Sequence, residues 1–142
     1  MNDSDRALCV ATAGLLRASG AIAGWGLALS LIAGLVLALT GRSLPTASWA
    51  AFAAVGLIGL PERYLSLRVY LDARLFEALA RGTIANLTAL DGALETLGLR
   101  RAAEAVRPLA ERVLGTRQLV QRHGLLVAAQ TVVFILALVL QD

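Results

Sequence analysis

The side chains in this chain that could do chemistry are few, and most stand at the edges of long apolar runs. Glu62 follows Pro61 at the end of one run, His123 opens another, and Gln130 lies seven residues inside it. A carboxylate at the edge of hydrocarbon is expensive to keep ionised, so Glu62 is a candidate intramembrane or interfacial ionisable group on an ion or proton route. Arg68 and Asp72 stand four residues apart inside an apolar arc. On a helix that spacing brings them together. If desolvated, each requires the other, and breaking the pair would cost about 3–5 kcal/mol; on a wet helix the same pair is worth about 0.3–0.5 kcal/mol. His123 reads as an interfacial histidine, Gln130 as a hydrogen-bond partner for a neighbouring helix, and Ser30 as a hydroxyl bonded back to its own helix.

No catalytic set accompanies these residues. His123 is the only histidine and Cys9 the only cysteine, so neither a zinc nor a haem ligand set exists and an intrachain disulfide is excluded. The chain has no lysine, hence no phosphate-cradling P-loop lysine and no Schiff base, and it has no Gly-x-Ser-x-Gly elbow. The sequence therefore reads as non-enzymatic, with no catalytic, cofactor-binding or metal-binding residue and no cofactor.

The elements that must position the polar residues follow from hydropathy. With 58% hydrophobic residues and a mean hydropathy of +0.72, this 142-residue chain is far more apolar than a soluble domain. Residues 18–41, 43–61 and 123–141 contain no Asp, Glu or Arg. A bilayer core about 30 Å thick needs about 20 helical residues, so each run is long enough to cross. The expectation is an all-α integral membrane protein, a single membrane domain over 1–142. It has three transmembrane helices and a helical cytoplasmic projection, residues 62–122, between the second and third.

Twelve of the thirteen arginines lie before the first run or between the second and third; only Arg42 falls in the first loop. The positive-inside rule then places the N-terminus in the cytoplasm and the C-terminus outside. Arginine in place of every lysine is the signature of a GC-rich, bacterial genome, so the expected location is the bacterial cytoplasmic (inner) membrane. A net charge of +3, dispersed and without interleaved aromatics, gives no nucleic-acid footprint. It suits contact with anionic inner-leaflet lipid. Within the spans, Gly20, Gly24 and Ala28, and Ala50, Ala54 and Gly56, are the small residues at which helices are expected to approach.

Between the spans the pattern is helical throughout. The second span should continue past Pro61 as one helix to about Arg81, ended by Gly82. Tyr64, Leu67, Leu71, Leu75 and Ala78 form one apolar flank of that extension, and Leu65, Val69 and Phe76 another. A further helix from a Thr83 cap to about Leu97 carries Leu87, Leu90, Leu94 and Leu97 at coiled-coil-like spacing, and Gly98 ends it. Another begins near Arg100 and is kinked or restarted at Pro108. Two heptads are too short to be stable alone. The leucine seam is therefore expected to pack on another element or subunit, leaving Leu65, Val69 and Phe76 as an exposed interaction patch. These features make the expected function protein–protein association: an accessory, assembly or scaffold subunit of a membrane complex, or a self-associating membrane protein. The alternative is a subunit of an oligomeric ion or proton channel or transporter that uses Glu62 and the Arg68–Asp72 pair.

Overall fold

The computed structural model describes residues 2–98 and 108–141. Among them are five helices and no strand: α1 Asp3–Ala18, α2 Gly20–Thr40, α3 Thr46–Ala80, α4 Leu87–Thr96 and α5 Leu109–Val139. Helix α1 starts at a capping box: the Asn2 side chain accepts from the Asp5 amide at 2.7 Å, and the Asp5 carboxylate accepts from the Asn2 amide at 3.1 Å. It passes into α2 across Ser19, which keeps helical dihedrals, so 3–40 behaves as one rod. Helix α3 runs unbroken through Pro61 for 35 residues, a length of about 50 Å. Gly82 and Gly98 take positive φ and end α3 and α4. Helix α5 begins directly after Pro108 and carries the polar segment into the last apolar run without a break.

Two helical stretches, the α1–α2 rod and α5, are long and apolar enough to cross a membrane. Helix α3 leaves its apolar stretch at Pro61 and meets Glu62 and Arg63 next, so its composition changes midway. Only 17% and 22% of the most apolar windows of the rod and of α5 are buried inside the chain. Their hydrocarbon faces outward, where a soluble protein would hide it.

The interior has two dry clusters. One joins Cys9, Ala13 and Leu16 of α1 to Val69, Ala73, Phe76 and Leu79 in the second half of α3, with Leu90 of α4. The other joins Leu29 and Ala33 of α2 to Phe52 and Val55 of α3 and Ala137 of α5, with Phe134 edge-on to Phe52 at 5.7 Å between ring centroids. Spacing explains the packing. The buried residues Ser48, Phe52, Val55, Gly59 and Glu62 of α3 recur at intervals of four and three, as do His123, Val127 and Gln130 of α5. That recurrence is the seam of near-parallel helix packing.

Several expectations are corrected here. Gly20, Gly24 and Gly56 have open space where a Cβ would sit, whereas Gly26 and Gly59 are the close approaches. Helix α4 starts at Asn86, whose side chain accepts from the Ala89 amide at 2.8 Å. Thr83 caps nothing there, because the turn after Gly82 consumes that segment. The patch expected at Leu65, Val69 and Phe76 is not exposed: Val69 and Phe76 are buried and Leu65 is half-buried. The cause is α1, which is long enough to lie along the second half of α3 and cover that flank.

Candidate functional site

A polar layer separates the two dry clusters. Its centre is Glu62, fully buried although it follows the apolar half of α3 by one residue. Both nitrogens that Arg63 offers, Nε and Nη2, donate to its carboxylate oxygens, and Arg63 Nη2 also reaches the Ala23 carbonyl of α2. From α5, His123 Nε2 lies 2.8 Å from Glu62 Oε1, and both side chains are wholly shielded. A carboxylate held by a guanidinium accepts only, so Nε2 is the donor. The opposite nitrogen, Nδ1, has no partner among the described residues.

Seven residues further along α5, about 10 Å of helical rise, Gln130 is also fully buried. Its amide nitrogen donates to Ser30 Oγ at 2.8 Å, Val55 O at 3.2 Å and Gly26 O at 3.3 Å, tying three helices together. Ser30 donates back to Gly26 O, as its sequence position implied. The two parts of the layer touch through Gly26. A Cβ there would meet Glu62 Cδ at 2.9 Å, Glu62 Oε1 at 3.1 Å and Gln130 Oε1 at 3.2 Å. Glycine at 26 is thus the condition for Glu62 and Gln130 to sit side by side. Beyond Gln130 the interior closes with Leu29, Ala33, Phe52 and Val55, so the polar column is blind at that end.

A second charged group pins α1. Glu77 accepts from both Arg17 of α1 and Arg81, with Arg74 at 3.8 Å. The hydrogen bond from Arg17, followed by the fields of Arg17, Arg81 and Arg74, holds the Glu77 carboxyl below the usual carboxylate range against a smaller opposing effect of desolvation. Arg74 stacks over the Tyr70 ring at 5.3 Å and donates to its hydroxyl at 3.0 Å.

The residues singled out in the sequence fall in different places. Glu62 faces His123 and Arg63 and no wet cavity. Arg68 is exposed and Asp72 half-buried, so they are not a buried ion pair. Burial raises the Asp72 pKa and Arg68 only partly offsets it through space. Both line a cleft of about 680 Å³ with Leu94, Asp91 and Arg112, and Arg112 pairs with Asp91. In the expected leucine seam, Leu90 is buried, Leu87 and Leu94 pack on the chain's own core, and Leu97 is exposed. The sequence reading missed His123 as the partner of Glu62. Its signal was the shared four-and-three spacing of polar and small residues on the two spans.

No family model matches this chain, and neither a curated protein nor a solved structure is similar to it.

Proposed function

We propose that the chain is a non-enzymatic membrane protein that works by association, as an accessory, assembly or scaffold subunit of a membrane complex or by pairing with itself. In this reading it crosses the membrane three times, through α2, the first half of α3 and the second half of α5. The N-terminus is cytoplasmic and the C-terminus outside, in the inner membrane of a bacterium. The arginine distribution supports that orientation. The outer surface supports the three crossings: Leu31 and Leu35 of α2, Leu57 and Leu60 of α3, and Val132 and Ile135 of α5 all face away from the bundle.

One observation carries the reading. Leu57, Leu60, Tyr64, Leu67 and Leu71 recur at intervals of three and four along α3, and each is more than half exposed. This stripe begins in the span and continues past Pro61, Glu62 and Arg63. Lipid can cover its first part; the second, outside the hydrocarbon, is an apolar surface of the kind that marks an interaction site, in a heptad-like pattern that suits a partner helix. The association surface therefore sits on α3, in place of the α4 leucines.

A photo-crosslinking residue at position 67 should capture a neighbour in the membrane, while one at position 94 should capture none. Leu67→Arg should weaken association at least tenfold, as removal of a central apolar anchor does, with insertion and helix content unchanged. A reporter fused after residue 142 should be active only outside, and one near residue 98 only in the cytoplasm. Equal capture at 67 and 94, or unaltered association of Leu67→Arg, would remove the basis of the reading. A second reading, a subunit of an oligomeric ion or proton carrier, is favoured by the contiguity of His123, Glu62 and Gln130 across the interior. For that reading Glu62→Gln must abolish flux in vesicles that hold the protein.

A further inference from the structure

Beside the polar layer, an open groove of about 790 Å³ lies between the α1–α2 junction and the second half of α3. This is the size range of small-molecule sites. Its walls are Leu16, Gly20 and Ala23 on one side and Leu67, Val69 and Ala73 on the other. Among the described residues its charged lining is one-signed: Arg17, Arg63 and Arg74 face it, and no Asp or Glu does. Two carboxylates stand just outside it: Glu62 is bonded to Arg63, and Glu77 is shared among Arg17, Arg81 and Arg74. Of the lining guanidiniums, Arg17 and Arg74 therefore share one negative charge, which leaves that end of the groove with a positive charge over. Tyr70 holds the Arg74 guanidinium by ring and hydroxyl.

The groove also has a direction. Arg63 stands at its inner end, bonded to the Ala23 carbonyl and to Glu62. Arg74 is eleven residues further along α3, a rise of about 16 Å, and Arg17 joins it there through Glu77. The apolar walls at Ala23, Gly20 and Leu67 lie towards the membrane-crossing half of the bundle, and the surplus positive charge lies away from it. A leaflet phospholipid has the same order, acyl chain towards the hydrocarbon and phosphate outward. We propose that this groove binds one anionic phospholipid, with its phosphate at Arg17 and Arg74 and an acyl chain along Gly20, Ala23 and Leu67. The site goes beyond the association reading: Leu67 is common to the groove and the α3 stripe, but Arg17 and Gly20 belong to the α1–α2 rod, outside the stripe.

The test uses the full chain in detergent micelles, titrated with phosphatidylglycerol or phosphatidylcholine and read by native mass spectrometry. The parent should retain one phosphatidylglycerol at a concentration at least tenfold lower than phosphatidylcholine. Arg74→Gln should erase that preference. Gly20→Leu, at a position with no atom within 4 Å of its Cβ, should fill the groove and lower retention of both lipids at least tenfold. Unchanged helix content and oligomeric state in both variants separates this result from loss of the fold or of the stripe. Equal retention of the two lipids by the parent, or parental retention by Gly20→Leu, overturns the proposal. So does capture of a polypeptide, in place of lipid, by a photo-crosslinker at Ser66 on the groove wall.

Discussion

Gly26→Ala tests whether the buried polar layer holds the bundle together. The new methyl would stand 2.9 Å from Glu62 Cδ and 3.1 Å from Oε1, against an ordinary carbon–carbon contact of about 3.5–4.0 Å. The carboxylate would have to retreat by about 0.6–1 Å. It is held at 2.8 Å by His123 and on both oxygens by Arg63, and a hydrogen bond stretched to about 3.6 Å is no longer one. Overpacking contributes about 1–3 kcal/mol and a weakened bond to a charged group about 1.5–3 kcal/mol. The helix-propensity gain of alanine over glycine returns about 1 kcal/mol. The net expectation is a loss of about 1.5–5 kcal/mol. Gly24→Ala, two residues away with nothing within 4 Å of its Cβ, should be neutral or stabilising by up to about 1 kcal/mol. Equilibrium unfolding in mixed micelles, followed by circular dichroism, gives both values on one scale. If the two variants unfold together, the close approach at Gly26 is not a tight one and the layer does not set the helix spacing.

Gly59→Ala drives a methyl into Ser30 Oγ and to 3.3 Å from its Cβ. It should lose about 1–3 kcal/mol, and adding Ser30→Ala should restore more than half of that in the same unfolding assay, since the worst clash is with the hydroxyl. Glu77 has a lowered carboxyl pKa, so its contribution is present above the ordinary carboxylate range and is lost as pH falls through the lower, folded value. Cys9, fully buried where α1 packs on α3, reports this: its reaction with dithiodipyridine should stay slow down to about pH 4 and quicken below, whereas Glu77→Gln should quicken it at pH 7. Asp72 is the opposite case, its pKa raised by burial. Its stabilising share is full below the ordinary carboxylate range and lost as pH rises through the folded value, so Asp72→Asn should gain on the parent between pH 4 and 7; a constant difference across that range would refute the assignment.

Local rules made much of this architecture legible in advance. Gly82 and Gly98 marked helix ends because they can take positive φ, and both do. The passage of α3 through Pro61 and the bond from Gln130 to a neighbouring helix were also readable, since each depends on one residue and its immediate surroundings. What escaped was pairing at a distance. Glu62 and His123 are 61 residues apart in sequence, and nothing local says that two helix seams align to bring them within 2.8 Å. The exposed patch was misplaced for a related reason. The short apolar run 7–16 fits an interfacial helix or an extension of the first span equally well, yet Cys9, Ala13 and Leu16 lie on one face and pack in one cluster with Val69 and Phe76. Once α1 takes that flank, the flank of Leu67 and Leu71 is the one left exposed.

The position of the polar layer links the two proposed surfaces. Buried charged and polar groups add little net stability compared with well-packed apolar residues, so Glu62 and its partners are poor candidates for the main source of cohesion; the dry clusters on either side supply that. What the layer can impose is register. If α5 slid by one turn along α3, Glu62 would face Val127 or Leu119 in place of His123, and the buried imidazole would lose its hydrogen bond to Glu62, at a cost of about 1–3 kcal/mol. Arg63 reinforces this by fastening Glu62 to the Ala23 carbonyl of α2, so all three long helices are indexed to one point. That point stands where the stripe on α3 passes from the apolar half into the polar half, and at the inner end of the cationic groove. Indexing the helices there fixes how far the stripe projects and holds Arg17 opposite Arg74. A helix pair without the layer could be as stable yet present those surfaces at several heights, and a docking protein needs one.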